Sequence, residues 1–280
     1  MLSSILRTVD DGLWGWPLDI QILTENILGY KVISQQPKQC IDLIGGWLDA
    51  GEIGKVFVCA NPHSLVEAKN DPLFQQAIHN ADLVTPDGAG IIIASKVLGG
   101  AIRKRVTGSD IFWGLSAELN RTGGRSYFFL GSSEETLAAI KDKMAVEYPN
   151  IRFAGSYSPP YKPKFSAEES RQMVAAVNAA RPDVLWVGMT APKQEKWIDL
   201  HRDQLDVKFI GAVGAVFDFY VGNVKRSHPF FQKIGLEWLP RFLQEPRRLF
   251  KRNFVSSPLF LWEVLKQKVM RSEELGGRRN

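Results

Sequence analysis

The chain has 280 residues, of which 45% are hydrophobic, and this is sufficient to bury a large core. Its length and the lack of internal repeats or low-complexity tracts favour one α/β domain with appendages over two equal domains. The two cysteines, Cys40 and Cys59, are too few for a disulfide framework or a zinc site, which indicates a reducing, cytoplasmic compartment.

The net charge of +5 is unevenly distributed along the chain. Residues 221–280 carry 13 Lys or Arg against 5 Glu, a balance of +8, so the first 220 residues carry −3. This asymmetry predicts an anionic partner for the C-terminal segment: membrane phospholipid, a diphosphate or nucleic acid. A solvated charged face is the alternative.

Residues 1–27 carry little structural signal, and we interpret them as an N-terminal extension. Arg7, Asp10 and Asp11 interrupt its apolar residues, so it lacks the continuous apolar core of a secretory signal. No charge-free apolar run in the chain exceeds about 10 residues, well short of the ~20 that cross a bilayer. We therefore predict no transmembrane helix.

Strand and helix patterns alternate regularly from Lys55 onward. The predicted strands are apolar runs rich in β-branched and aromatic residues: Lys55–Ala60, a short strand ending near Val84, Arg125–Leu130, Ile151–Ser156, Asp183–Gly188 and Val207–Val213. The predicted helices between them are one from Ser64, Gly90–Leu98, one ending near Met144, Ser166–Ala180 and one from Pro192. This alternation predicts a Rossmann-like, predominantly parallel sheet with helices on both faces, spanning residues 28–222.

Polar or small residues follow five of the predicted strands, and in a parallel sheet they would face one rim. They are Asn61, Asp87, Gly131, Gln194, Gly214 and Asp218. Glycines let the backbone approach a ligand, and helix N-termini offer N–H groups to phosphate. A plain turn at a helix start is the alternative for each glycine, but the convergence of five strand ends favours a pocket.

Several familiar site motifs are absent from the sequence. It has no G-x-G-x-x-G fingerprint, P-loop, G-x-S-x-G elbow or H-E-x-x-H, so ordinary NAD enzymes, kinases and hydrolases lose support. No Asp-x-Asp pair occurs and the four histidines are scattered, so we predict no metal and no cofactor. If the reaction releases a diphosphate, Lys or Arg side chains would have to stabilise its charge, because no metal site is predicted. Two functions remain open at this point. One is an NAD(P)-binding oxidoreductase with an atypical fingerprint, and the other is a basic membrane- or nucleic-acid-binding module without catalysis.

The residues around Asp87 hold the strongest candidate for chemistry. A short buried strand ends near Val84, and Pro86 and Gly88 force a turn that places Asp87 at a loop tip facing the cleft. An Asp in such a turn usually only hydrogen-bonds its own backbone. Local chemistry alone therefore leaves both interpretations open.

Five motifs in order strengthen the functional interpretation. They are ADLVTPDG (81–88), RVTGSD (105–110), APKQEKW (191–197), GAVFDF (214–219) and GLEWLPRFLQEPRRL (235–249). With these motifs the chain resembles the WecG/TagA/CpsF family of bacterial glycosyltransferases, from about Leu28 to about Leu261. Members extend lipid-linked sugars in teichoic acid, enterobacterial common antigen and exopolysaccharide synthesis.

The resemblance implies an inverting glycosyltransferase that moves a sugar from a UDP-linked donor to a polyprenyl-diphosphate-linked acceptor. Asp87 would be the catalytic base that deprotonates the acceptor hydroxyl. Arg105 and Gln194 would line the site, and Arg241 and Arg248 would neutralise the leaving diphosphate.

Four further rim residues complete the predicted site. We expect Asn61 and Asp218 to bind substrate and Gly131 and Gly214 to approach the diphosphate. One departure from the family pattern is Cys59, because many members have Thr-x-Asn where this chain has Cys-Ala-Asn.

The tail, residues 223–280, is predicted to be a basic amphipathic helical appendage. Its predicted helices, 236–242 and 259–270, combine aromatic residues with Lys and Arg, as an interfacial membrane anchor requires. Packing of the apolar face against the sheet is the alternative. No nucleic-acid-binding module is recognisable, so we predict no nucleic acid partner and a peripheral location on the inner face of the cell membrane.

Overall fold

The computed structural model describes residues 21–224 and 251–277. A short antiparallel hairpin, β1 (Thr24–Ile27) and β2 (Tyr30–Ile33), precedes a six-stranded sheet. The strands of that sheet are β3 (Lys55–Ala60), β4 (Leu83–Pro86), β5 (Arg125–Gly131), β6 (Ile151–Tyr157), β7 (Val184–Gly188) and β8 (Phe209–Ala212). Their order is β4-β3-β8-β7-β5-β6, and every neighbouring pair is parallel. The predicted α/β fold class is confirmed.

Helices cover both faces of this sheet. They are α1 (Pro37–Ala50), α2 (Pro62–Ala68), α3 (Pro72–Asn80), α4 (Ala89–Val97), α5 (Gly108–Thr122), α6 (Glu134–Glu147), α7 (Ala167–Ala180), α8 (Lys193–His201), α9 (Val216–Val221) and α10 (Ser257–Gly277). A 3-10 turn (Arg202–Gln204) follows α8, and a π-helical turn (Lys251–Ser256) precedes α10. Side-chain caps begin α2, α3, α5, α6 and α7.

The strands are apolar along their whole length because both faces of the sheet are buried. Side chains alternate between the faces, so Val56 and Val58 join one core while Phe57 between them joins the other. Trp186 and Phe209 pack edge to face in the second core, with ring centroids 5.8 Å apart. These cores hold the sheet rigid beneath the loops at its carboxyl edge.

The hairpin was not predicted from the sequence, and it supports the loop between α4 and α5. Its turn, Leu28–Gly29, has positive φ at both residues, as a two-residue hairpin turn of type I′ requires. From β1, the Glu25 carboxylate accepts hydrogen bonds from the Ser95 hydroxyl at 2.7 Å, the Ile102 amide at 2.8 Å and the Ala101 amide. The loop that leads to Arg105 is therefore anchored to the hairpin.

One side of the helix α10 packs against the rest of the protein, and membrane binding by the tail stays a prediction. Phe260 and Val264 are fully buried in the core, and the helix contacts α2 and α4. Gln267 binds the hairpin, accepting from the Leu28 amide at 2.9 Å and donating to the Asn26 carbonyl at 3.0 Å. The opposite face of α10 exposes apolar side chains, described below. No helix in the described ranges is long and apolar enough to cross a bilayer.

Candidate active site

The predicted base, Asp87, lies at the carboxyl end of the edge strand β4. Its side chain is half-buried, and its amide donates to the Ala60 carbonyl at 2.8 Å, which ties the loop to β3. Gly88 follows with φ +93°, a conformation that favours glycine, and allows the chain to turn directly into α4. A Cβ at Gly90 would lie 2.4 Å from Pro62, so the first turns of α4 and α2 are in close contact.

Arg105 reaches the same rim through its backbone. The amide of the next residue, Val106, donates to the Pro86 carbonyl at 2.8 Å, one residue before Asp87. Arg105 is half-buried, while Arg103 and Lys104 are exposed. The helix α5 that follows begins at a Thr107 cap. The structure therefore places a cationic loop beside the predicted base.

Cys59 lies on β3, where it pairs in register with Thr85 of β4. Its sulfur accepts a hydrogen bond from the Thr85 hydroxyl at 3.5 Å. Burial raises the pKa of the Cys59 thiol, and the nearby acidic side chains of Asp87 and Glu195 raise it further. Cys59 is thus a neutral thiol hydrogen-bonded to β4.

Asn61 caps the helix α2, a structural role that the sequence alone does not distinguish from substrate binding. Its side-chain oxygen accepts from the Ser64 amide at 3.0 Å, and the Ser64 hydroxyl lies 2.8 Å from the Asn61 amide, so the pair forms the cap of α2. The side-chain Nδ2 group of Asn61 is the part suited to donating to a ligand.

Gln194 is buried, with 4% exposure, and bridges two strand ends. Its side-chain oxygen accepts from the Met189 amide after β7, at 3.2 Å, and from the Gly214 amide after β8, at 3.0 Å. Its Nε2 donates to the Glu195 carboxylate at 2.9 Å. The predicted lining residue is therefore engaged with the protein itself.

Glu195 is a buried acid that is not among the site residues predicted from the sequence. It is 5% exposed, and its Oε2 atom has no hydrogen-bond partner among the described residues. Burial raises the pKa of Glu195, opposed by the hydrogen bond from Gln194. The signal available in the sequence was its place in the APKQEKW motif.

The remaining rim residues differ in how well they fit their predicted roles. Gly131 is buried, and a Cβ there would lie 2.5 Å from the Gly188 carbonyl oxygen, so packing between β5 and β7 accounts for the glycine. Gly214 has φ +56° beside Gln194, and Asp218 is half-buried in the first turn of α9. Their contacts with substrate or diphosphate stay predictions.

Two predicted residues cannot be placed. Arg241 and Arg248 lie outside the described residues, so their role in neutralising a diphosphate also stays a prediction. In the parts of the chain that are described, no three His, Cys, Asp or Glu side chains are grouped to hold a metal ion.

A model of the glycosyl transferase WecG/TagA/CpsF family matches residues 25–274. The chain belongs to this family. The match contains the Asp87 loop, the Arg105 loop and the Gln194 bridge, and it confirms the resemblance carried by the five motifs. The protein is accordingly a glycosyltransferase.

Curated relatives from three bacteria bear one name, N-acetylglucosaminyldiphosphoundecaprenol N-acetyl-beta-D-mannosaminyltransferase. The Bacillus spizizenii protein is 31% identical over 77% of this chain and 80% of its own length. The Bacillus subtilis protein is 28% identical over 88% and 92%, and the Staphylococcus aureus protein is 28% identical over 75% and 80%. These relatives span most of the WecG/TagA/CpsF match.

Proposed function

We propose that this glycosyltransferase transfers an N-acetylhexosamine, by expectation N-acetylmannosamine, from a UDP-linked donor to N-acetylglucosamine carried on a polyprenyl diphosphate. The acceptor and the sugar follow from the names of the relatives. The observation within the chain that supports the proposal best is the position of Asp87, on the rim where the carboxyl ends of β3 and β4 meet.

Asp87 would act as a general base in a single displacement. The acceptor hydroxyl oxygen attacks the anomeric carbon while Asp87 takes the hydroxyl proton. The bond from that carbon to the donor phosphate oxygen breaks, and the nucleoside diphosphate leaves with the electron pair. One displacement inverts the anomeric configuration, and a base within hydrogen-bond reach of the hydroxyl contributes about 10²- to 10⁴-fold in rate.

The cations near the base suit an anionic donor. Arg103 and Lys104 are exposed on the loop that continues to Arg105, and that loop is hydrogen-bonded to β4 next to Asp87. We propose that these residues, together with Arg241 and Arg248 of the tail, attract and neutralise the diphosphate. This arrangement needs no metal ion for leaving-group stabilisation.

A lipid-borne acceptor requires that the active site face a membrane, and α10 offers the surface for it. The outward side of the helix exposes the apolar residues Leu259, Trp262, Leu265, Val269 and Met270, and Val255 is exposed in the turn before it. Lys266 and Lys268 are exposed on the same helix, and α10 packs on α4, the helix that begins two residues after Asp87. We therefore propose peripheral binding to the inner face of the cell membrane through this surface.

A screen of donors tests the proposal. UDP-, GDP- and dTDP-sugars are compared by thermal shift and then in transfer assays with a lipid-linked N-acetylglucosamine acceptor. We expect UDP-N-acetylhexosamines to stabilise the protein and to support transfer. If no nucleotide sugar stabilises the protein or donates, the proposed reaction is wrong.

A further inference from the structure

The Gln194 side chain is held in one orientation. Its oxygen faces two N–H donors, the amides of Met189 and Gly214, and so joins the loops that follow β7 and β8. Exchanging the oxygen and nitrogen of this amide would set N–H groups against N–H groups and leave both backbone amides unsatisfied. Only one orientation therefore holds the two loops together.

Glu195 favours the same orientation, because it contacts the nitrogen end of the Gln194 amide. Its Oε1 atom accepts from the Nε2 of Gln194 at 2.9 Å, so the amide is held between two backbone donors and one carboxyl acceptor. All of these atoms belong to residues that are buried or half-buried at the rim that carries Asp87.

The surroundings of Glu195 disfavour a negative charge. Its Oε2 atom is buried without a hydrogen-bond partner in the described ranges, and an ionised oxygen in that position would be an unpaired buried charge. The Lys196 ammonium on α8 and the hydrogen bonds from the Gln194 side chain and the Glu195 backbone favour the ionised form, but burial outweighs them and raises the pKa of Glu195. The Lys196 ammonium already pairs with Asp71 at 2.7 Å. Cys59 on β3 is a further titratable group near Glu195, and Asp87 acts on the same thiol.

We propose that Glu195 is a positioning residue: as a neutral carboxylic acid it fixes the Gln194 amide, and through it the β7 and β8 loops that face the substrates. A neutral acid also adds no repulsion toward a diphosphate donor or toward the Asp87 carboxylate. The inference rests on the proposed transfer reaction for its activity measurement, while its measurement of stability is independent of that reaction.

Glu195→Gln separates positioning from proton transfer. Glutamine keeps the carbonyl acceptor for Gln194 and replaces the acid O–H by N–H, so we expect a folded protein with transfer activity within about threefold of wild type. Glu195→Leu removes the acceptor, and we expect its kcat to fall at least tenfold. A folded Glu195→Gln variant with a loss above about 100-fold would show that the acid itself transfers a proton and would overturn the proposal.

The pH dependence of stability supplies a second test. Because the pKa of Glu195 is raised in the folded protein, its favourable contribution is complete below the unfolded value of about 4.3 and is lost as pH rises through the folded value. Glu195→Gln lacks this loss, so its Tm relative to wild type should rise between pH 4.5 and pH 8. Glu134→Gln, which makes the same substitution at an exposed position on α6, is the matched control.

These two measurements also keep the inference distinct from the proposed function. If the wild-type protein transfers no sugar but the Tm difference rises with pH, the proposed transfer reaction is wrong, whereas the inference that Glu195 is a neutral acid is supported. If Glu195→Gln shows a Tm difference that is constant with pH, or if Glu195→Leu retains full activity, the inference is wrong.

Discussion

The amide nitrogen of Asp87 lies 2.8 Å from the carbonyl oxygen of Ala60, to which it donates a hydrogen bond. This bond extends the pairing of β3 and β4 by one residue and fixes the predicted base at the level of the Asn61 cap. The bond from the Val106 amide to the Pro86 carbonyl then fixes the cationic loop to the same strand. The base and the predicted donor-binding loop thus share one rigid frame, so changes in that frame should affect both.

Glu25 is expected to support that frame from the hairpin. Glu25→Ala removes the acceptor for the Ile102 amide and the buried Ser95 hydroxyl, so we expect a loss of about 1–3 kcal/mol in the free energy of unfolding, measured by urea denaturation. Glu52→Ala, which removes a partly exposed ion pair with Lys55, is the control and should cost less than about 1 kcal/mol. Equal stability of the two variants would contradict the supporting role.

Gly100→Ala should lower the free energy of unfolding as Glu25→Ala does, because it displaces the Glu25 carboxylate instead of removing it. A Cβ at this position would lie 2.0 Å from the Glu25 carboxylate and 2.7 Å from the Ser95 hydroxyl, so the carboxylate would be displaced. We expect both Glu25→Ala and Gly100→Ala to raise the KM for the donor, because the loosened loop carries Arg105. Steady-state kinetics with varied donor concentration checks this, and an unchanged KM in both would contradict it.

The exposed face of α10 is expected to bind membrane. Trp262 and Val269 are each 57% exposed, and replacing both by Ser should weaken sedimentation with vesicles rich in phosphatidylglycerol by about tenfold or more. Val146→Ser together with Tyr161→Ser removes side chains that are even more exposed, from α6 and from the loop before α7, and should leave binding unchanged. Equal binding by all three proteins would contradict the assignment of this surface.

Point substitutions are preferable to removal of the tail. A chain ended at Gly222 would lose Phe260 and Val264 from the core as well as the exposed face of α10, so loss of membrane binding would be mixed with loss of stability. The double Ser variant changes only exposed side chains. Its transfer rate should fall with a membrane-bound acceptor and stay near wild type with a short, water-soluble acceptor analogue.

Metal chelation tests the source of diphosphate stabilisation. The sequence has no Asp-x-Asp pair, and its cations cluster at 103–105 and in the tail, so we expect transfer activity to persist in excess EDTA. The measurement compares initial rates with and without the chelator. Complete loss of activity that Mg²⁺ or Mn²⁺ restores would contradict stabilisation by protein cations.

The sheet could be predicted from the sequence because its strands are buried on both faces and form continuous apolar runs, such as Lys55–Ala60. The hairpin could not, because its turn is Leu28–Gly29 rather than the common Asn-Gly. The positive φ of Leu28 is accompanied by a hydrogen bond from the Gly29 amide to the Asn26 side chain at 3.0 Å. The domain boundaries stay a prediction.

The candidate site shows the same division. Motifs identify Asp87, Arg105 and Gln194 as residues of one rim, and strand pairing and backbone hydrogen bonds bring their segments together. Sequence cannot show that the Gln194 side chain hydrogen-bonds to backbone amides of the protein, because those bonds depend on the separation of the β7 and β8 loops. Nor can it show that Glu195 is buried without a second partner.

Asp87→Asn tests the central claim most directly. The variant is compared with wild type and with Asp218→Asn, the next acid along the same rim, in transfer from UDP-N-acetylmannosamine to a lipid-linked N-acetylglucosamine acceptor. NMR of the wild-type product assigns the anomeric configuration. We predict an inverted product, a loss of about 10²- to 10⁴-fold in kcat for a folded Asp87→Asn protein, and a smaller loss for Asp218→Asn. A folded Asp87→Asn protein that turns over at the wild-type rate would contradict the account and move the base elsewhere on the rim.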